Sequence, residues 1–551
     1  MEYKPLNKQL EDSFRNNWSR AALSNYQGDT YTYADLASKI VSLHLAFGEC
    51  GLSKGDKVAV CARNQANWGV CFLAALTYGA VPVPILHEFT PDSVQNLVNH
   101  SEAKILLVGE SIWEGLDVSG MPELRLAALV NNLEYVYAKD QAVLERCQKI
   151  SELMESRYPD GIRPEDIHWN EDRPDELAII NYTSGTSGFS KGVMIPYRAL
   201  LCNVAFAGTT AEPQMDCNSK VVSMLPSAHM YGMMFEFLFE MTIGAHVYFL
   251  NRVPSPKIIM NAFADIHPDI IIAVPLIIEK VYKSQIKPIA EKYSKLIRIP
   301  LVNRLIFKKI RNGLIEAFGG NFAEVILGGA AFNPEVEAFF RKISFPFTVG
   351  YGMTECAPLI TYCKWNRTRM GSCGMAITGC EVRIDSQDPF KIPGEIQVRG
   401  DNVFLGYYKN EEATGMSFTE DGWFRTGDMG VVDKDGYLYL RGRSKCMILG
   451  PSGQNIYPEE LEAVINNVQY VTESLVIDDG GALTALIYPD FAQGGLDGLS
   501  AEDVQKRLSD SLPEINHHLP VYAQIKKIEF MTEDFERTPK RNIKRYLYQR
   551  N

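Results

Sequence analysis

The chain has 551 residues, 46% of them apolar and 22% charged. At roughly 150 residues per domain this is three or four domains of ordinary globular composition, which excludes disorder and collagen-like repetition. A formal net charge of −12, from 55 basic and 67 acidic side chains, argues against nonspecific nucleic-acid binding, which needs a basic footprint.

Eleven cysteines form no CxxC pair and no Cys/His cluster at zinc spacing. Met1 to Leu10 holds no apolar h-region, so no secretory signal is expected and a reducing, cytoplasmic compartment is. The stretch from Ala66 to Leu86 carries no charge, but Gly79, Pro82 and Pro84 interrupt it. A helix through Tyr78 and then a short buried strand fit it better than a membrane span.

Helical and strand patterns alternate over the first 350 residues. Thr32 is placed to cap a helix whose Leu36, Ile40, Leu43 and Phe47 share one face, with Gly51 ending it. Lys57–Ala62 reads as a strand. Thr90 and Pro91 open a further helix, and Lys104–Val108 is the next strand. Leu177–Tyr182, Val221–Leu225, Ala245–Leu250, Ile270–Val274 and Glu324–Leu327 are short continuous apolar runs, the pattern of parallel strands buried on both faces. This predicts an α/β fold of two layered subdomains. After about residue 370 the pattern turns to β: Glu381–Asp385, Glu395–Arg399, and a hairpin over Val431–Leu440 turning at Asp435-Gly436, together a small barrel or sheet. Past Arg443 comes a compact α+β segment, with a helix from about Pro458 and strands at Ser474–Ile477, Leu483–Tyr488 and Ile525–Met531.

Ten cations (Lys280, Lys283, Lys287, Lys292, Lys295, Arg298, Arg304, Lys308, Lys309 and Arg311) accompany a single acid, Glu291. Leu296, Ile297, Leu301, Leu305 and Ile306 interleave with them. The plain reading is a solvated helix pair; the sharper one is peripheral membrane contact through residues 280–312.

The strongest chemical signal follows the strand at Leu177–Tyr182. It runs Thr183, Ser184, Gly185, Thr186, Ser187, Gly188, Phe189, Ser190, Lys191, Gly192. Glycines let backbone approach a ligand, successive N–H groups form an anion nest, and hydroxyls and one lysine add donors. Polyphosphate is the natural ligand. The spacing matches neither GxxxxGK[ST] nor GxGxxG, which disfavours a Walker or Rossmann site.

This segment resembles the phosphate loop of the adenylate-forming superfamily: acyl-CoA synthetases, luciferases and peptide-synthetase adenylation domains. Gly350-Tyr-Gly-Met-Thr-Glu355, Gly422-Trp-Phe-Arg-Thr-Gly-Asp428 and Tyr439-Leu-Arg-Gly-Arg-Ser-Lys445 resemble its other signatures, in order. The resemblance covers nearly the whole chain. It implies a large N-terminal domain over 1–442, with subdomains at roughly 1–170, 171–350 and 351–442, and a small mobile α+β C-terminal domain over 443–551. It implies that Thr354 bonds phosphate and that Glu355 holds Mg²⁺, a cation that takes oxygen ligands. It places adenine between Tyr351-Gly352 and the segment at Gly329 and Ala330, the ribose hydroxyls on Asp428, and Arg443 on ribose or phosphate. His229, in Pro226-Ser-Ala-His-Met-Tyr-Gly232, matches an aromatic position near the substrate carboxylate. Lys445 matches the hinge.

The segment Gly450-Pro-Ser-Gly-Gln-Asn-Ile-Tyr-Pro-Glu-Glu460 and the basic insert resemble the long-chain fatty acyl-CoA synthetases. The implied activity is an AMP-forming ligase that converts a fatty acid and MgATP to acyl-adenylate and passes the acyl group to coenzyme A. There is one departure. The family carries a lysine three residues after a Thr-Pro or Pro-Ser pair, where this chain has Asn542, flanked by Lys540 and Lys544. Lys544 is the favoured substitute. Rival readings are a ligase loading a carrier-protein thiol and a non-catalytic nucleotide or acyl binder.

Overall fold

The computed structural model describes residues 3–183, 191–211, 215–252, 255–292, 302–449, 454–538 and 543–550. Its N-terminal half is built on twisted, mostly parallel sheets. One has five strands in the order Val81–Pro84, Lys57–Cys61, Ala103–Val108, Leu126–Leu129, Tyr135–Ala138, with only the last antiparallel. The helix feeding it, Tyr33–Glu49, starts where expected: Thr32 accepts from Asp35 N at 3.1 Å, and Asp35 accepts from Thr32 N at 2.8 Å. The uncharged stretch resolves into the helix Ala66–Tyr78, the left-handed Gly79 and the strand Val81–Pro84. No helix among the described residues is long and apolar enough to cross a membrane.

A second sheet orders Lys220–Ser223, His246–Phe249, Ala21–Asn25 and Thr30–Thr32. A third, all parallel, orders Ile271–Ala273, Val325–Leu327 and Phe347–Val349, and a Val221–Ile270 bridge joins it to the second. In register, Ala273 pairs with Leu327 and Leu327 with Val349. The loops that follow these strands therefore leave at one level, on the carboxyl edge where ligands of open α/β sheets bind.

The strand at Leu177–Thr183 departs from expectation. It pairs antiparallel with Lys191–Pro196, which pairs antiparallel with Gly406–Tyr407. Its apolar run reports burial on both faces, and burial does not fix strand direction. The β-rich part consists of a three-stranded sheet (Tyr351–Gly352, Leu359–Tyr362, Met375–Ala376) and a four-stranded antiparallel sheet (Cys380–Asp385, Gly394–Gly400, Phe424–Val432, Leu438–Arg443).

The C-terminal segment has its own core, with Leu461, Ile465, Val476, Ile487 and Leu508 packed between the helix Pro458–Ile465 and the strands Val471–Asp479, Ala482–Pro489 and Lys527–Phe530. It touches the larger part through Lys283 Nζ, which donates to Asn466 O at 3.0 Å, and Asn333 Nδ2, which donates to Asn467 Oδ1 at 2.5 Å. Within the basic stretch, the helix Val302–Ala317 exposes Arg304, Lys308 and Lys309 and buries Phe307 and Leu314. Lys295, Arg298, Leu296, Ile297 and Leu301 lie outside the described residues.

Candidate active site

Ser184, Gly185, Thr186, Ser187, Gly188 and Ser190 fall outside the described residues; the ends of their loop do not. Thr183 and Lys191 are register partners, and Thr183 Oγ1 lies 3.5 Å from Lys191 O. The strands on either side of these residues thus pair as an antiparallel hairpin. Lys191 Nζ sits 4.6 Å from the centroid of the Tyr407 ring, and Tyr407 donates its hydroxyl to Glu355 Oε1 at 3.0 Å. Glu355 and Thr354 are buried in the one-turn helix Thr354–Cys356, just past the Tyr351–Gly352 strand. Burial, with the Glu355 charge beside it, pushes the Tyr407 phenol far above its ordinary range, so it stays protonated and donates.

The second group joins two motifs. Tyr351 donates to Asp428 Oδ2 at 2.7 Å, while Arg443 Nε lies 3.4 Å from Asp428 Oδ1 as its register partner in the next strand. Burial raises the Asp428 carboxyl, and Arg443 and Tyr351 pull it back. The strand Val325–Leu327 ends beside Tyr351, since Gly350 N donates to Leu327 O at 2.8 Å. Gly329 there has φ +84°, and Gly329 and Ala330 are exposed. A Cβ on Gly328 would come 3.0 Å from the Tyr231 ring.

His229 caps the short helix Met230–Met233, with Nδ1 accepting from Tyr231 N at 3.3 Å. Two asparagines not singled out from sequence hold its loop. Asn181 Nδ2 donates to Ala228 O at 2.9 Å, and Asn64 Oδ1 accepts from Ser227 N at 2.8 Å. Asn181 had a legible signal: it is the polar residue inside an otherwise apolar strand run. Glu236, also missed, is fully buried and accepts from Leu225 N at 3.0 Å and Ser223 Oγ at 3.2 Å, fixing the chain that leads into the loop. Burial drives its carboxyl well above the usual range.

Lys445 is exposed in the one-turn helix Ser444–Cys446. Beyond it, Arg545 pairs with Glu462 and stands 3.8 Å from Glu459, anchoring the C-terminal tail to the helix Pro458–Ile465. Lys544 Nζ donates to Glu536 Oε2 at 3.2 Å, so in this arrangement its partner lies within its own domain. Lys540, Asn542 and Gly450 to Gly453 lie outside the described residues.

Among the described residues no three or more His, Cys, Asp or Glu converge as a metal cage. Mg²⁺ does not need one, since it is commonly held by one or two carboxylates plus substrate phosphates. The Glu355 carboxylate and Thr354 hydroxyl are hard oxygen donors of that kind and fit it.

Residues 10–408 match the family of AMP-binding enzymes, and residues 447–551 match the AMP-binding enzyme C-terminal domain. The chain belongs to the AMP-binding enzyme family, whose members form adenylates. Within it the chain falls among the AMP-forming acid–thiol ligases. It is 27% identical over 477 residues to the long-chain-fatty-acid–CoA ligase FadD15 of Mycobacterium bovis, covering 81% of this chain and 75% of that one. It is 26% identical over 504 residues to 4-coumarate–CoA ligase 1 of Solanum tuberosum, covering 86% and 82%. The fold matches the o-succinylbenzoate CoA synthetase MenE of Bacillus subtilis, in complex with ATP and magnesium ion, with a TM-score of 0.73 at 22% identity over 99% of each chain.

Proposed function

We propose that this protein activates a fatty carboxylate with MgATP and transfers the acyl group to coenzyme A. The observation that carries the reading is the junction of Lys191, Tyr407 and Glu355 at the mouth of the Gly/Ser/Thr hairpin, beside the carboxyl edge of the parallel strands. In the first half-reaction a carboxylate oxygen attacks the α-phosphorus of ATP and the bond to pyrophosphate breaks, leaving acyl-adenylate. Lys191 brings positive charge and Thr354 a hydroxyl to the phosphates, so the chain's contribution is positioning and electrostatic stabilisation. Mg²⁺, when bound, neutralises phosphate charge, and Glu355 and Thr354 are the residues that would hold it. Asp428 accepts from the ribose hydroxyls, and Tyr351 orients that carboxylate. His229 flanks the carboxylate of the acid. In the second half-reaction the C-terminal domain turns about Lys445, the CoA thiolate attacks the acyl carbon, and AMP leaves.

The long match to a long-chain-fatty-acid–CoA ligase and the basic, apolar insert support a fatty acid. The somewhat longer match, over 504 residues, to a 4-coumarate–CoA ligase supports an aromatic acid as the second reading. Pyrophosphate release over a panel of fatty and aromatic carboxylates, with and without CoA, separates them. Release with aromatic acids alone would overturn the fatty-acid assignment.

A further inference from the structure

We propose that Tyr407 is the positioning residue that sets Lys191 and Glu355 in one arrangement, its ring face carrying the ammonium and its hydroxyl fixing the carboxylate. This rests on the reading of Lys191 and Glu355 given above. Three chain segments far apart in sequence meet on this one side chain: the hairpin at 191, the turn at 354–356 and the strand at 406–407.

The two contacts use different parts of the residue. A lysine has a flexible four-carbon stem and loses much rotamer freedom when fixed. A ring 4.6 Å beneath the ammonium gives it a favoured station without neutralising its charge, as a carboxylate partner would. The hydroxyl donates to Glu355 Oε1 at 3.0 Å, which fixes the carboxylate's orientation. A charge-assisted bond of this kind is stronger than a neutral one.

Tyr407 is itself held from several directions. Its N–H donates to Thr414 Oγ1 at 2.9 Å, it pairs in register with Val193, and its ring meets that of Phe404 edge-on at 5.0 Å. The next residue, Tyr408, donates its N–H to Gly192 O at 2.7 Å. The preceding Gly406 has φ +138°, and a Cβ there would come 2.6 Å from Thr414 Cγ2, so the approach needs glycine. Such support around a reacting constellation is what keeps it within fractions of an ångström of working geometry.

The test compares Tyr407→Phe, which keeps the ring and loses the hydroxyl, with Tyr407→Leu, which loses both. ATP–pyrophosphate exchange is measured against Mg²⁺, and Mn²⁺ binding in the presence of ATP is followed directly by electron paramagnetic resonance. Tyr407→Phe should need about tenfold more divalent cation in both assays, with the exchange rate at saturating cation close to the parent. Tyr407→Leu should show the same cation defect plus a further drop in saturating rate, about tenfold, that disappears in a Lys191→Ala background. Parental cation dependence in Tyr407→Phe, or a Tyr407→Leu loss that persists unchanged without Lys191, would overturn the proposal. Should Tyr407→Leu fail to fold by thermal melting, Mn²⁺ binding to Tyr407→Phe decides alone. Lys191→Ala and Glu355→Gln are run alongside. If both collapse while the Tyr407 variants match the parent, only the role of Tyr407 falls. If neither collapses, the site assignment falls with it.

Discussion

Tyr351 gives its hydroxyl to Asp428 across 77 residues of sequence, at 2.7 Å. The bond ties the short strand Tyr351–Gly352 to the strand Phe424–Val432 of the four-stranded sheet, and Arg443 Nε lies 3.4 Å from the carboxylate's other oxygen. Asp428 thus stands oriented between two partners.

On the proposed reading Asp428→Ala removes the acceptor for ribose, and it takes from Arg443 the carboxylate 3.4 Å away. ATP binding, followed by calorimetry, should weaken about tenfold or more, the equivalent of about 1.4 kcal/mol. The exchange rate at saturating ATP should change less. Unchanged ATP affinity would remove Asp428 from the nucleotide site.

Lys445 lies in a one-turn helix between the four-stranded sheet and the C-terminal core. A hinge must absorb a large change in φ and ψ, and proline locks φ near about −65°. Lys445→Pro should spare one half-reaction and impair the other in single-turnover assays. Equal loss in both, with the circular dichroism intact, would count against domain rotation there.

Lys544 is engaged by Glu536, and its neighbour Arg545 fixes the tail to Glu462. If Lys544 supplies the cation that Asn542 lacks, Lys544→Ala lowers pyrophosphate exchange strongly, while Lys540→Ala and Asn542→Lys change little. Loss in Lys540→Ala instead assigns the role to Lys540. No loss in either alanine variant, with a gain in Asn542→Lys, marks a weak native adenylation site.

Glu240 is buried at 1% exposure and burial pushes its carboxyl up to about 8. The native state therefore keeps a proton that the unfolded chain releases near about 4.3. This contribution is fully present below that value and is lost as pH rises through 8, at about 1.4 kcal/mol per pH unit. His44, lowered to about 4 by burial, acts oppositely, losing its contribution as pH falls from about 6.5 toward 4. Between pH 6.5 and 8 the Glu240 term acts without that opposition. Glu240→Gln should shrink the fall in thermal midpoint across this window. An identical fall in parent and variant would contradict the buried, protonated carboxyl.

Parallel strands such as Lys57–Cys61, Ala103–Val108 and Val325–Leu327 were legible as short apolar runs between helices capped by residues such as Thr32 and Thr90, whereas Leu126–Leu129 and Phe347–Val349 were not singled out. The direction of the strand at Leu177–Thr183 was not legible, since two-faced burial leaves the same pattern in either orientation. Nor was the strand Ala21–Asn25, whose partner His246–Phe249 lies more than 200 residues on. Among site residues, Lys191, Glu355, Tyr351 and Asp428 stood in motifs. Tyr407, Asn64 and Glu236 did not, because what they hold is distant in sequence and only folding brings it near.

The most direct measurement of carboxylate activation is product analysis with MgATP and a fatty acid, with and without CoA, for the parent, Lys191→Ala and Glu355→Gln. The parent should release pyrophosphate with the acid present and form AMP and acyl-CoA only when CoA is added. Either substitution should slow the first step by about 10²–10³. Acid-independent release of inorganic phosphate, or parental rates in both variants, would contradict acyl-adenylate formation at this site.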